Sequence, residues 1–193
     1  MSFDPRKFVF LDRDGVINRD SEAYIKSWEE FVFLPGSLEA LKLLTESGHI
    51  TVLVTNQSAV ARGLLSREGL EEMFRRMQAA VIAAGGQIAD IFYCPHMPDA
   101  GCDCRKPAPG MIAAAQSKYR IDLTAAVMVG DSSKDILCAC RAGVGQTILV
   151  QTGNGPTAEG ELADLDIAPD YIAADLLAAV RWLLDRPANK QAP

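Results

Sequence analysis

Short apolar runs alternate with segments of helical spacing along this chain, and that alternation constrains the fold more than any other feature. The runs are "KFVFLD", "HITVLVTN", "IADIFYC", "AAVMVGD" and "GQTILVQT". Strands that alternate with helices in this way predict an α/β fold with a mostly parallel sheet and helices on both of its faces. The first helix carries Leu38, Leu41 and Leu44 on one side, with Ser37 as its cap after Pro35-Gly36 and Gly48 as its stop. A second opens at Ser66, puts Leu70, Met73, Phe74 and Met77 on one face and ends at Gly85-Gly86. Pro109 suits the first turn of a third, "PGMIAAAQSKYR", and "SSKDILCACRAG" reads as a fourth with Gly143 beyond its end. "DYIAADLLAAVRWLLD" reads as a strand fragment and a closing helix. "RDGVINRDSEAYIKSWEEFVFLPG" reads as a long loop, a flap over a site, and "TGNGPTAEGELADLDIAPD" as a turn-rich loop. The tail "RPANKQAP" reads as frayed. A length of 193 residues suits one domain spanning 1–193.

In a parallel sheet, ligands sit beyond the carboxyl ends of the strands. Those ends carry Asp12 with Asp14, Thr55 with Asn56, and Gly130 with Asp131. Lys106 reaches the same edge from the loop after the third strand. A lone Asp-x-Asp-Gly is also an ordinary polar strand end with a tight turn. Its companions change the reading. Acids that hold a hard cation, together with an ammonium and a hydroxyl that hold phosphate oxygens, are what phosphoryl transfer requires.

The ordered set "FLDRDG", "LVTN", "RKPAPGM" and "MVGDSSKD" resembles the haloacid dehalogenase superfamily of phosphohydrolases. The resemblance implies a Rossmann-like, capless fold, with loops alone forming the substrate rim. It implies Asp12 as a nucleophile that forms an aspartyl-phosphate, and Asp14 as the acid and then base for the leaving oxygen and the water. It implies Mg²⁺ held by the Asp12 and Asp131 carboxylates and the Asp14 backbone carbonyl. Thr55 and Lys106 would hold the transferring group. Asp135 is either an outer-shell acid or a helix-surface residue.

"FYCPHMPDAGCDCRKP" concentrates soft ligands. Cys94, His96, Cys102 and Cys104 follow a Cys-x-His, five-residue, Cys-x-Cys spacing, which fits a tetrahedral Zn²⁺ site with no open position, hence a structural one. The loop is too polar to hold itself by apolar burial, and metal binding can supply the missing folding free energy. Arg105 and Lys106 follow the last ligand at once, so the cluster is expected to station both cations over the site. Cys138 and Cys140 read as packing residues, and His49 as structural.

A zinc loop inside this scaffold is similar to the subgroup holding the D-glycero-D-manno-heptose 1,7-bisphosphate 7-phosphatases and the histidinol-phosphate phosphatases. "TNQSAVARGLLS" resembles the heptose group; the other motifs fit both. The five-residue gap is shorter than in many members of the subgroup, which alters the rim. A sugar bisphosphate as substrate gives Arg62 and Arg105 a task, since arginine forks suit phosphate oxygens and hydroxyls. Lys134 is a weaker candidate for the distal phosphate, and Arg62 is otherwise a solvated charge. The anomer at carbon 1 is open.

Net charge of −6 and a pI near 4.9 argue against nucleic acid or anionic lipid as partner. No apolar run approaches a membrane helix, and "MSFDPRKFVFLD" lacks the pattern of a signal peptide. A soluble, cytoplasmic monomer is the expectation. Five cysteines cannot all pair within one chain, and in a reducing compartment clustered thiols point to metal. A receiver-type switch would need neither the zinc loop nor the second acid of the Asp-x-Asp pair. A zinc-stabilised nucleic-acid module would need a basic stripe.

Overall fold

The computed structural model describes Asp4 and residues 7–185. The tail, residues 186–193, lies outside the described residues. Six strands form one sheet: β1 (Phe8–Leu11), β2 (Ile50–Asn56), β3 (Asp90–Cys94), β4 (Val127–Gly130), β5 (Gln146–Val150) and β6 (Tyr171–Ala173). Their order is β3-β2-β1-β4-β5-β6, and every neighbouring pair is parallel. The crossovers are α1 (Ser37–Glu46), α2 (Arg67–Ala83), α3 (Gly110–Tyr119), α4 (Ser133–Ala142) and α5 (Gly155–Asp164), with α6 (Leu176–Asp185) closing the chain. This is the mostly parallel, two-faced α/β fold that the alternation predicts, and the strand fragment before the last helix is β6.

Side chains alternate across each strand and divide the core in two. Val9 and Leu11 of β1, with Val127 and Val129 of β4, face α1, α2 and α6. Phe8 and Phe10, with Met128, face α3 and α4 on the other side. Ile136, Leu149, Ala158 and Leu162 extend that second face beneath α5. Central strands buried on both faces explain why the apolar runs show no polar alternation. No helix among the described residues is long and apolar enough to cross a membrane.

Two helix starts and one whole helix differ from the expectations of the sequence. The residue that caps α1 is Gly36, at φ 77°, where a β-carbon would crowd Leu177; Ser37 is already helical and buried. α3 starts at Gly110, with Pro109 at its cap, because the Gly110 N–H donates to the Asp103 carbonyl at 2.9 Å and a side chain would strike that carbonyl. The expected loop after β5 contains α5, a full helix. Pro156 opens it, but only Ala158 and Leu162 anchor it, and its glycines mask the periodicity. The Ser66 cap of α2 stands as expected, accepting the Gly69 N–H at 3.0 Å.

Candidate active site

Strand order reverses between β1 and β4, both of which leave the centre of the sheet at the same edge. A crevice opens at such a switch point. Asp12 follows β1 and Asp131 follows β4, so the two acids face each other across it. The cleft there is about 400 Å³ and is walled by the ends of β1, β2 and β4, the flap and the start of α5.

Asp12, Asp131 and Asp135 bring carboxylate oxygens within 4.8 Å of one another. Lys106 enters from the loop after β3, its ammonium 2.9 Å from Asp12 Oδ1 and 2.6 Å from Asp135 Oδ1. Asp135 is fully buried, and its Oδ2 accepts the Ser132 backbone N–H and hydroxyl at 3.0 and 2.8 Å. It therefore caps α4 and seats the lysine at once, which removes the helix-surface alternative. Asp12 Oδ1 also accepts the Arg13 N–H at 2.7 Å. Asp131 Oδ2 accepts the Asn154 backbone N–H at 2.8 Å and its side-chain amide at 3.2 Å. The second oxygens, Asp12 Oδ2 and Asp131 Oδ1, have no hydrogen bond among the described residues.

Three acids against one ammonium leave the pocket short of positive charge. Burial pushes Asp12 up to about 6, with Lys106 opposing and Asp135 and Asp14 adding to the rise. Burial pushes Asp131 up to about 8, helped by Asp135 and Asp12. Burial works against the charge of Lys106, but Asp12 and Asp135 outweigh it and hold the ammonium more basic than usual. Unfilled hard oxygen donors in a buried, over-acidic pocket fit a small divalent cation such as Mg²⁺.

The Asp14 carboxylate is fixed by a separate donor set. Arg13 forks onto it at 2.6 and 2.7 Å, Asn18 donates at 2.8 Å and Gln57 at 2.9 Å. Arg13 is almost fully buried, between the rings of Phe31 and Phe74, each about 5.9 Å away. Thr55 is buried behind Gln57, whose amide donates to its hydroxyl at 2.9 Å. Asn56 spends both ends of its amide on the Lys106 backbone, at 3.2 and 3.1 Å. It lines the cleft, but its polar atoms position the lysine rather than stand free for substrate.

Cys94, His96, Cys102 and Cys104 form the second ligand group. Cys104 Sγ lies 3.2 Å from Cys94 Sγ and 3.4 Å from Cys102 Sγ, and His96 Nδ1 lies 3.2 Å from Cys104 Sγ. A tetrahedron with metal–sulfur bonds of about 2.3 Å has edges of about 3.8 Å, so these four atoms can close on one Zn²⁺. Burial raises the Cys104 thiol to about 12, and its neighbours add to that. Burial acts on Cys102 too, but hydrogen bonds with Cys104 and Cys94 outweigh it and bring that thiol down to about 6. Arg105 follows immediately and donates to the His96 carbonyl at 3.1 Å while lining the cleft.

Lys134 lines the cleft; Arg62 does not, and stands exposed beside Tyr24 at its rim. Cys138 is buried as expected, but Cys140 is exposed, so packing does not account for it. The sequence reading passed over Arg13, Asn18, Gln57 and Asn154. Arg13 lies between the two acids of "FLDRDG", Asn18 in the flap segment four residues after Asp14, and Gln57 in "TNQSAVARGLLS", two residues after Thr55. Asn154 follows β5, and the strand-end rule applied to that strand would have found it.

Residues 103–179 match the protein-family model described as "HAD-hyrolase-like". The chain is 46% identical over 169 residues to the D-glycero-beta-D-manno-heptose-1,7-bisphosphate 7-phosphatase of Pseudomonas putida, covering 87% of this chain and 96% of that protein. It is 44% identical over 180 residues to the protein of the same name from Bordetella bronchiseptica, covering 92% and 98%. The crystal structure of the D,D-heptose 1,7-bisphosphate phosphatase from B. bronchiseptica, complexed with magnesium and phosphate, superposes with a TM-score of 0.86 at 44% identity, over 92% of this chain and 98% of that one. With these relatives at such identity and coverage, the chain belongs to the D-glycero-β-D-manno-heptose-1,7-bisphosphate 7-phosphatase family, within the haloacid dehalogenase superfamily.

Proposed function

We propose that this protein is a Mg²⁺-dependent phosphatase that removes the 7-phosphate of D-glycero-β-D-manno-heptose 1,7-bisphosphate. The observation that carries the reading is the meeting of Asp12, Asp131, Asp135 and Lys106 at the switch point. The names of the relatives favour the heptose substrate, with its β anomer, over histidinol phosphate.

Asp12 attacks the phosphorus in line. A new oxygen–phosphorus bond forms as the bond from phosphorus to the sugar O7 breaks, and O7 takes a proton from the Asp14 carboxyl. Water then attacks the phosphorus of the aspartyl-phosphate and gives its proton to Asp14. Phosphate leaves and Asp12 returns to a carboxylate. Lys106 offsets the repulsion between carboxylate and phosphoryl oxygens. Asp135 is occupied by Lys106 and Ser132, so a cation would be held by Asp12, Asp131 and the Asp14 carbonyl. When bound, Mg²⁺ supplies the charge neutralisation that lets an anion approach an anion. Arg13, Asn18 and Gln57 orient Asp14; Asn56 fixes Lys106; Thr55 steadies the Gln57 amide. Zn²⁺ on Cys94, His96, Cys102 and Cys104 would hold the loop that carries Arg105 and Lys106.

We read the chain as a single domain because all six strands join one sheet, with the cleft at its edge. A cluster of unpaired thiols supports a reducing, cytoplasmic setting. The product fits heptose supply for lipopolysaccharide. Phosphate release with Mg²⁺, compared between the heptose bisphosphate and histidinol phosphate, tests the reading. Asp12→Asn is expected to abolish release; a fully active variant removes Asp12 from the chemistry.

A further inference from the structure

Tyr24 lies on the flap with φ 63°, a left-handed backbone that a bulky aromatic residue adopts only under constraint. Such strain persists where the surroundings impose it, and it gathers at ligand clamps. Here the flap imposes it. The Tyr24 N–H donates to the Ser21 carbonyl at 2.9 Å, the Ala23 N–H to Ser21 Oγ at 3.2 Å, and the Lys26 N–H to Glu30 Oε2 at 2.9 Å. Ile25, the next residue, is buried and anchors the segment to the core. These contacts decide where the Tyr24 side chain goes, and it goes to the wall of the cleft.

The Arg62 guanidinium stands over the same ring, 5.5 Å from its centroid. Arg62 is exposed and makes no ion pair with a carboxylate among the described residues. Its charge is therefore unspent and is held at the rim by an aromatic platform. The ring is partly buried and also rests against the edge of the core, while a glycine would hold this backbone conformation without strain.

We propose that Tyr24 is a specificity-determining residue. It forms the sugar-facing wall of the cleft and stations Arg62 for the second, non-reacting phosphate of a sugar bisphosphate. The inference rests on the phosphatase reading and adds to it the part of the substrate that the flap recognises. A guanidinium fork matches phosphate oxygens, and an aromatic face matches the C–H side of a sugar ring.

The test compares kcat/KM for the heptose 1,7-bisphosphate and for the heptose 7-phosphate, which lacks the second anion. Wild type, Tyr24→Ala, Tyr24→Phe, Arg62→Ala and the double variant are measured with Mg²⁺. Tyr24→Ala is expected to lower the bisphosphate-to-monophosphate ratio about tenfold, the scale of one charge-assisted contact. Tyr24→Phe holds the ratio within about twofold, since a phenyl ring also carries a cation. The double variant loses no more of the ratio than Arg62→Ala alone, because the two residues act as one unit. Tyr24→Gly relaxes the backbone and gives the same change in ratio, which keeps the test readable if the alanine variant folds poorly. Equal losses on both substrates, an unmoved ratio, or additive losses in the double variant overturn the proposal. A wild type that hydrolyses both substrates without preference overturns it too, while leaving the phosphatase reading in place. A wild type that hydrolyses neither removes that reading, and the inference with it.

Discussion

Asp131→Asn separates the stability of the acidic pocket from its function. Burial, followed by the charges of Asp135 and Asp12, raises Asp131 from 3.8 to about 8. A carboxyl raised in this way holds protons in the folded chain that it gives up on unfolding. Without a bound cation, stability therefore falls as pH rises between 3.8 and about 8. At pH 7 the group stands roughly 3 pH units above its ordinary value, on the order of 4 kcal/mol at about 1.4 kcal/mol per unit. The residue is 2% exposed, so solvent screens little of this. Asparagine brings no charge and keeps an oxygen for the Asn154 N–H. The metal-free variant is expected to gain ~2–4 kcal/mol at pH 7, or roughly 5–15 °C in melting temperature. It should also lose both turnover and stabilisation by Mg²⁺. Calorimetry in chelator at pH 5 and pH 8, followed by a Mg²⁺ titration, reads all three. A variant that melts below wild type, or a gain that does not grow with pH, refutes the reasoning.

Replacing Cys102 and Cys104 with serine should release Zn²⁺, measured by metal analysis, and raise KM by loosening Arg105 and Lys106; zinc-free protein with normal kinetics contradicts that link. Asn56→Ala removes both bonds to the backbone of the buried Lys106 and should cost about 1–3 kcal/mol of stability, read as a lower melting temperature, together with a fall in kcat/KM as the ammonium loses its fixed position. Gly153 has φ 58°, and a β-carbon there would meet the Asp131 carboxylate and Gly15. Gly153→Ala should therefore cost ~1–3 kcal/mol and weaken Mg²⁺ binding, read by thermal shift against added metal.

The parallel sheet was legible because central strands buried on both faces appear as bare apolar runs, and the strand-end rule then located Asp12 and Asp131. α5 was not legible, since two apolar residues among glycines and small polar ones give no visible period. Asp135 could not be resolved in sequence, because a capping acid and a lysine's partner look alike until the helix start is placed beside the loop after β3. Asn56 was expected to meet substrate as a polar residue at a strand end. Only the fold reveals that its amide spans to Lys106, 50 positions away. Arg13 was hidden for a related reason: between two acids it reads as a surface charge, and its burial against Phe31 and Phe74 depends on segments remote from it.

The turn after β5 reaches back across almost the whole chain. The Thr152 hydroxyl donates to the Gly15 carbonyl at 2.6 Å, 137 positions earlier, and the Asn154 amide bridges Asp131 and Asp20. A fragment ending at β4 and α4 would retain every residue of the four signature motifs yet lack the keystone that holds the Asp12–Gly15 loop against Asp131. The smallest working unit is thus larger than its signatures suggest, and a split or permuted version of this chain should be cut well away from residues 150–155.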